Sequence, residues 1–179
     1  FAALGVPTLD ADELARDVVT PGSAAYHAVR QRFGPAVLTS NGALDRKALA
    51  DVVFNDPIAR RDLEAIIHPD VRARITTWFA ALQARGDHPF GIADIPLLYE
   101  TNRAADFDRV IVTACDPETQ VQRVMARAGT TEAEAQQRLS AQWPTAEKVA
   151  RADLVIRTDG TLAETDRQVE ELYRELMAV

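Results

Sequence analysis

Two carboxylates follow a short apolar run near the start of the chain. The run at residues 6–9 ends at Asp10, and Asp12 lies at the beginning of a helical pattern. We interpret Asp10 as the helix N-cap and Asp12 as a first-turn residue, so that their carboxylates point to different faces. Only one of them could then serve chemistry. Plain capping and complementation of the helix dipole would explain both equally well.

A third carboxylate ends a second apolar run. Asp94 closes the stretch at residues 90–95 and is followed by Pro96, Leu97 and Leu98. A carboxylate at a strand end often organises magnesium in nucleotide-binding folds, and proline stiffens the loop that leaves the strand. The alternative is an ordinary transition from strand to loop.

Two arginines form a fork on a predicted helix. Arg123 and Arg127 lie one turn apart and suit bidentate recognition of phosphate oxygens. Together with Arg138 they bracket a polar segment at residues 129–149. The alternative is a solvated helix face paired with nearby glutamates.

Other chemistries have weaker signals. His68 precedes Pro69 at a predicted junction between two helices, where histidine is usually a cap or packing residue. The three histidines and Cys115 are too scattered for a zinc site, and no serine lies in a G-x-S-x-G context. The nearest match to a Walker A loop, at residues 86–91, leads into a strand and is not a phosphate loop.

The elements that must position these residues alternate between strand and helix. Apolar runs typical of strands occur at residues 6–9, 90–95, 109–115 and 153–157. Helical patterns cover residues 25–33, 45–54, 57–68, 69–86, 117–128 and 161–176, and the polar segment at 129–149 also has a helical pattern. Asp56 is the expected N-cap of the helix that begins at Pro57, and capping-box spacing occurs at Thr131/Glu134 and Thr161/Glu164. This order predicts a doubly wound α/β fold with ligands at the carboxyl ends of its strands.

Composition limits the class of protein. The 179 residues are 47% hydrophobic and carry a formal charge of −7, which argues against a nucleic-acid or anionic-membrane partner. One cysteine excludes a disulfide framework, and no apolar run reaches the ~18 residues of a membrane span. We expect a soluble, cytoplasmic protein. Only Lys47 and Lys148 are lysines, so phosphate contacts would fall mainly to arginine.

Five segments carry a resemblance to a known family: FAALGVPTLDADELARDVVTPGS, LDRKALADVVF, IIHPDVRARI, DIPLLYE and ETQVQRVMAR. Together they resemble dephospho-coenzyme A kinases over essentially the whole chain. The resemblance implies a three-layer P-loop kinase-like fold with a parallel sheet. It implies a nucleotide-binding core at residues 1–20, 90–128 and 150–179, a helical substrate domain at 21–89 and a lid at 129–149.

The resemblance also implies a reaction, the transfer of the γ-phosphoryl group of ATP to the ribose 3′-hydroxyl of dephospho-coenzyme A, with Mg²⁺ as cofactor. Asp12 matches the family's base or orienting residue, and Arg123 matches the arginine that contacts the transferring phosphates. The expected ATP-binding residues are Arg123, Arg127 and Arg138. The expected substrate-binding residues are Asp10, Arg16, His68, Pro96, Leu97 and Leu98, and the expected metal ligand is Asp94.

Two departures from the family pattern stand out. The family's glycine-rich Walker A loop and first strand have no counterpart here, and we expect them upstream of Phe1 in a longer protein. Near the last strand the family often has asparagine before the turn glycine, whereas this chain has Asp159 before Gly160.

Alternative functions remain open at this stage. They are another P-loop small-molecule kinase, such as a nucleoside monophosphate kinase, and a non-catalytic binding module derived from such a kinase. The sequence fits a monomer and a small homo-oligomer equally well.

Overall fold

The computed structural model describes residues 1–178 and confirms an α/β fold with parallel strands. The strands are β1 (Thr8–Asp10), β2 (Ile92–Asp94), β3 (Ile111–Ala114) and β4 (Leu154–Arg157). The helices are α1 (Ala11–Asp17), α2 (Ala24–Phe33), α3 (Arg46–Asn55), α4 (Pro57–Arg85), α5 (Pro117–Ala128), α6 (Glu132–Ser140), α7 (Thr145–Val149) and α8 (Leu162–Met177). Short 3₁₀ turns occur at Ala2–Leu4, Pro35–Val37 and Ala104–Asp106.

The chain divides into two compact units, each with one parallel strand pair. The first unit comprises Leu4–Ile95 with Ala2, and the second comprises the chain from Pro96 onward with Phe1 and Ala3. β1 pairs with β2 in the first unit, and β3 pairs with β4 in the second. Each strand is shorter than the apolar run that predicted it, and β1 ends one residue beyond its run, at Asp10.

Helix α4 provides the long apolar face of the first unit. Val71, Ile75 and Leu82 are buried along it, as their helical spacing predicts. The helix begins as expected, since the Asp56 side chain accepts hydrogen bonds from the backbone N–H groups of Ile58 and Ala59 while Pro57 occupies the first turn. Gly86 ends it in the left-handed conformation, φ 64°.

The prediction of a helix junction at His68–Pro69 is wrong. Helix α4 runs without interruption from Pro57 to Arg85, with Pro69 inside it. Because proline has no backbone N–H, Pro69 cannot donate a helical hydrogen bond to the carbonyl of Ala65. The loss of this bond usually kinks or ends a helix. Burial of the apolar face on the C-terminal side of Pro69, beginning at Val71, offsets this cost.

The second unit has its own apolar cluster. Tyr99, Val110 and Val112 are buried at its centre, and the half-buried residues packed against them are Leu98, Ala104, Val149 and Ala152. Both predicted capping boxes form, at Thr131/Glu134 and at Thr161/Glu164. Among residues 1–178, no helix is long and apolar enough to cross a bilayer.

Candidate functional site

Three carboxylates gather at the carboxyl end of the β1–β2 pair, which we call the acidic end (Asp10, Asp12 and Asp94). Asp10 and Asp94 are register partners on adjacent parallel strands and therefore lie side by side. Oδ1 of Asp10 accepts hydrogen bonds from the backbone N–H groups of Asp12, at 2.7 Å, and Glu13, at 3.1 Å. Asp10 is thus the N-cap of α1, as predicted. Capping engages Oδ1 of Asp10, so the carboxylates of Asp12 and Asp94 are more available to a ligand than that of Asp10.

The carboxyl group of Asp94 is affected by burial and by its acidic neighbours. Partial burial and then the charges of Asp10 and Asp12 raise the pKa of Asp94 above its ordinary value of 3.8. All three residues are exposed to solvent to a substantial degree. A cation at this place would remove the repulsion.

Asp12 and Arg16 share one face of helix α1, because they are four residues apart. Both side chains are exposed, and the backbone carbonyl of Arg16 accepts a hydrogen bond from Nη2 of Arg46 at 3.3 Å. His68 lies half-buried in the middle of helix α4. These three residues belong to the first unit, as the acidic end does.

Pro96, Leu97 and Leu98 begin a tightly folded loop at residues 96–103, here called the exit loop. The carbonyl of Leu97 accepts hydrogen bonds from the backbone N–H of Thr101, at 3.1 Å, and from its hydroxyl, at 2.8 Å. The carbonyl of Leu98 accepts one from the N–H of Arg103 at 3.0 Å. Leu98 packs into the core, whereas the Leu97 side chain is 39% exposed. The loop therefore presents Leu97 outward on a fixed backbone.

The sequence analysis missed a mostly buried ion pair between the exit loop and helix α7. Nζ of Lys148 lies 2.6 Å from Oε1 of Glu100, with only 14% and 15% of the two side chains exposed. Burial alone would raise the pKa of Glu100, but hydrogen bonds from Lys148 and from the backbone N–H of Trp143 outweigh it and lower the pKa. The signal in the sequence that could have pointed to this ion pair was the rarity of lysine, since Lys148 is one of two lysines in the chain.

Two arginines form hydrogen bonds and ion pairs at the carboxyl end of the β3–β4 pair. We call this place the paired end, and it comprises Asp116, Arg123, Arg157, Thr158 and Asp159. Arg123 donates to the hydroxyl of Thr158, at 2.9 Å, and to its backbone carbonyl. Nη2 of Arg157 contacts the carboxylates of Asp116, at 3.0 Å, and Asp159, at 2.8 Å. The sequence analysis named Arg123 but missed Thr158, which anchors it.

The remaining predicted arginines lie nearby in the chain but not at the paired end. Arg127 is exposed on α5, one turn beyond Arg123. Arg138 is exposed on α6, and its charge contributes to lowering the pKa of Glu134, after the larger effect of the capping bonds from Thr131. The exit loop, the paired end, Arg127 and Arg138 therefore all belong to the second unit.

Solved structures match this arrangement. A crystal structure of a Thermus thermophilus protein superposes with a TM-score of 0.81 at 33% identity, covering 98% of this chain and 87% of the other. Dephospho-CoA kinase from Campylobacter jejuni superposes with a TM-score of 0.71 at 26% identity, with the same coverage. These similarities, together with the parallel strands, give the chain a P-loop kinase-like α/β fold.

Sequence comparison gives the family. A family model for dephospho-CoA kinase matches residues 1–164. Dephospho-CoA kinase from Geobacillus kaustophilus is 44% identical over 172 residues, which cover 96% of this chain and 85% of the relative. The chain belongs to the dephospho-CoA kinase family.

Proposed function

We propose that the acidic end and the arginines serve as the acceptor and phosphate sites of an ATP-dependent dephospho-CoA kinase. ATP and dephospho-CoA are the substrates in this family. The ribose 3′-hydroxyl oxygen forms a bond to the γ-phosphorus, and the bond from that phosphorus to the β–γ bridging oxygen breaks. The hydroxyl proton passes to the carboxylate of Asp12 and from there to solvent. The products are CoA and ADP. The observation that carries the proposal is the gathering of three carboxylates at the carboxyl end of the β1–β2 pair, where Asp10 and Asp94 lie side by side.

In this proposal Asp12 accepts a hydrogen bond from the 3′-hydroxyl and orients it toward the γ-phosphorus. Phosphoryl transfer asks mainly for positioning and charge stabilisation. Two features support Asp12 in this role. Its carboxylate does not cap the helix, because Asp10 does so, and the rigid first turn of α1 fixes its backbone.

Arg123 stabilises negative charge on the phosphates of ATP, with assistance from Arg127 and Arg138. Its guanidinium is held by Thr158 at the carboxyl end of β4, where ligands of α/β folds bind. A planar guanidinium suits phosphate oxygens because it can donate two parallel hydrogen bonds.

Dephospho-CoA contacts the exit loop and the helical residues. We assign its binding to Asp10, Arg16, His68, Pro96, Leu97 and Leu98, with residues 21–89 as the substrate domain and residues 129–149 as the lid. The exposed Leu97 side chain supports this assignment, since a fixed loop that presents an apolar side chain suits a ligand with apolar surface.

Magnesium fits the acidic end as part of a shared site. Among residues 1–178, no group of three or more His, Cys, Asp or Glu side chains is arranged to hold a metal. Mg²⁺ in kinases is usually held by one or two carboxylates, with phosphates and water completing its coordination. Asp94 would supply a carboxylate here, and a bound ion would neutralise charge on the phosphates. The cytoplasm is the proposed location of the reaction.

The direct test is CoA formation, followed by mass spectrometry, from dephospho-CoA, ATP and Mg²⁺. The protein should be expressed from its own start codon. We expect CoA only when both substrates are present. A folded protein that binds dephospho-CoA and forms no CoA would instead be a binding module, and a preference for nucleoside monophosphates would assign a different kinase reaction.

A further inference from the structure

The buried pair of Glu100 and Lys148 joins two parts of the second unit that are far apart in sequence. Glu100 lies in the exit loop and Lys148 in helix α7. The same Glu100 oxygen accepts a hydrogen bond from the backbone N–H of Trp143, at 2.9 Å, so both a side chain and a backbone group of residues 141–149 contact one carboxylate. This contact fixes the segment against the loop at two points.

Aromatic stacking reinforces the junction. The ring of Trp143 stacks on Tyr99, with centroids 6.1 Å apart and an interplanar angle of 14°. The guanidinium of Arg151 lies 4.9 Å from the Trp143 ring centroid. Offset stacking and a cation–π contact both favour one relative orientation of the groups. Tyr99 is itself in the exit loop, so the stacking holds the same two segments as the ion pair.

Lys148 also reaches the first residue of the exit loop. Its Nζ donates to the carbonyl of Pro96 at 3.4 Å. The carbonyls of Pro96, Leu97 and Leu98 are therefore each engaged, the first by Lys148 and the other two within the loop. Of these three anchors, only that of Pro96 depends on a residue outside the loop.

We propose that Glu100 and Lys148 are positioning residues, which hold Pro96 and Leu97 in the orientation that binds dephospho-CoA. The substrate in this statement rests on the proposed function above. A buried ion pair is weak evidence for stability, because desolvation costs about as much as attraction gains. The geometry gives this pair another use, since its lysine bridges a carboxylate and the carbonyl at the start of the loop.

The test uses Glu100→Gln and Lys148→Met in the full-length gene product. Glutamine keeps an acceptor for the Trp143 N–H but loses the charge, and methionine keeps the apolar stem of lysine. We expect the KM for dephospho-CoA to rise about tenfold, because small displacements of positioning groups have effects of this size or larger. The KM for ATP and kcat should change less than about threefold, and Lys148→Arg should restore most of the affinity.

Two matched controls bear the same substitutions at exposed pairs. Lys47→Met removes a lysine whose side chain is 88% exposed, and Glu170→Gln removes the partner of Arg174 on α8. Both should leave all kinetic constants unchanged. An active parent protein with unchanged KM values in the Glu100 and Lys148 variants would overturn the inference alone. A parent protein that forms no CoA would overturn the proposed function and this inference with it.

Chemical labelling tests the junction without relying on turnover. The chain has only two lysines, so acetylation followed by mass spectrometry compares them directly. Lys148 should react at least about tenfold more slowly than Lys47, because it is buried and paired. In the Glu100→Gln variant its reaction should accelerate while that of Lys47 stays constant. Equal rates in the parent protein, or no acceleration in the variant, would contradict the positioning role.

Discussion

The acidic end and the paired end each lie at the carboxyl ends of two parallel strands. The pKa of a carboxyl group nevertheless shifts in opposite directions at the two ends. At the acidic end partial burial, and then the charges of Asp10 and Asp12, raise the pKa of Asp94. At the paired end the backbone N–H of Asp116, assisted by the guanidinium of Arg157, lowers the pKa of Asp159 against the opposing effect of desolvation.

On the proposed function, this difference identifies the acidic end as the one that receives positive charge from a ligand. Carboxylates that repel one another in the free protein gain when a cation or a hydrogen-bond donor arrives. At the paired end Arg157 is already paired with Asp116 and Asp159, and Thr158 holds Arg123 in place. We infer that the acidic end changes its charge state during the reaction, whereas the paired end supplies a fixed frame for Arg123.

The largest effect should come from Asp12→Asn. We expect kcat to fall about 10²- to 10⁴-fold, because asparagine cannot accept the hydroxyl proton and orients the hydroxyl poorly. CoA formation measured at saturating substrates checks this, with circular dichroism to confirm folding. Asp51→Asn, at an exposed ion pair with Lys47, is the control and should retain full activity. Near-normal turnover of the Asp12 variant would remove Asp12 from the reaction.

A smaller loss should follow Arg123→Met. We expect kcat/KM for ATP to drop about 10²-fold, the usual scale for one preorganised charged donor. Thr158→Val removes the hydroxyl that Arg123 contacts but keeps the carbonyl, so its loss should be smaller, about threefold to tenfold. Arg174→Met on α8 serves as the matched control. If Thr158→Val proved as damaging as Arg123→Met, the carbonyl contact would be irrelevant to the position of Arg123.

Asp94→Asn should stabilise the free protein while impairing catalysis. We expect the Tm without Mg²⁺ to rise by about 2 °C at pH 7, because the substitution removes a partly buried charge and its repulsion from Asp10 and Asp12. Scanning calorimetry across a pH series measures it.

The pH dependence of that gain has a definite sign. A raised pKa in the folded state means that ionisation of Asp94 costs stability. The cost is absent below the ordinary value of 3.8 and is complete once the pH has risen through the folded-state pKa. The Tm difference between variant and parent should therefore vanish near pH 3 and be largest at neutral pH. A lower Tm for Asp94→Asn at pH 7 would contradict the repulsion.

Arg157→Met should have the smallest effect. Its ion pairs with Asp116 and Asp159 are half exposed, and such pairs contribute little to stability. We expect the Tm to change by less than about 2 °C, a limit set by the worth of an exposed pair. A much larger loss would show that the paired end is itself a stabilising element, and the contrast with the acidic end would then need another cause.

Local signals in the sequence predicted much of the fold. The N-caps Asp10 and Asp56 and both capping boxes form as their spacing indicated, because they depend on residues within one turn. The sequence placed Asp10 and Asp94 at strand ends, but only the structure shows that they are register partners on adjacent strands. The junction at Pro69 was mispredicted because packing of the helix beyond it outweighed a local breaker signal.

The sequence pattern could not predict the long-range contacts of the two sites. Glu100 and Lys148 are 48 residues apart, and nothing in their local patterns links them. The hydroxyl of Thr158 likewise meets Arg123 only because β4 ends beside α5. Both contacts depend on how distant segments pack against each other, and the spacing of apolar residues along the chain does not predict that packing.

The most direct test of the central contrast is a carboxyl NMR titration of ¹³C-labelled aspartates, with Asp94→Asn used for assignment. We predict a pKa of Asp94 above 3.8 in the free protein and a marked decrease when Mg²⁺ and ATP are added. A pKa at or below 3.8 in the free protein, or one unmoved by Mg²⁺ and ATP, would contradict the claim that the acidic end is reserved for a ligand's positive charge.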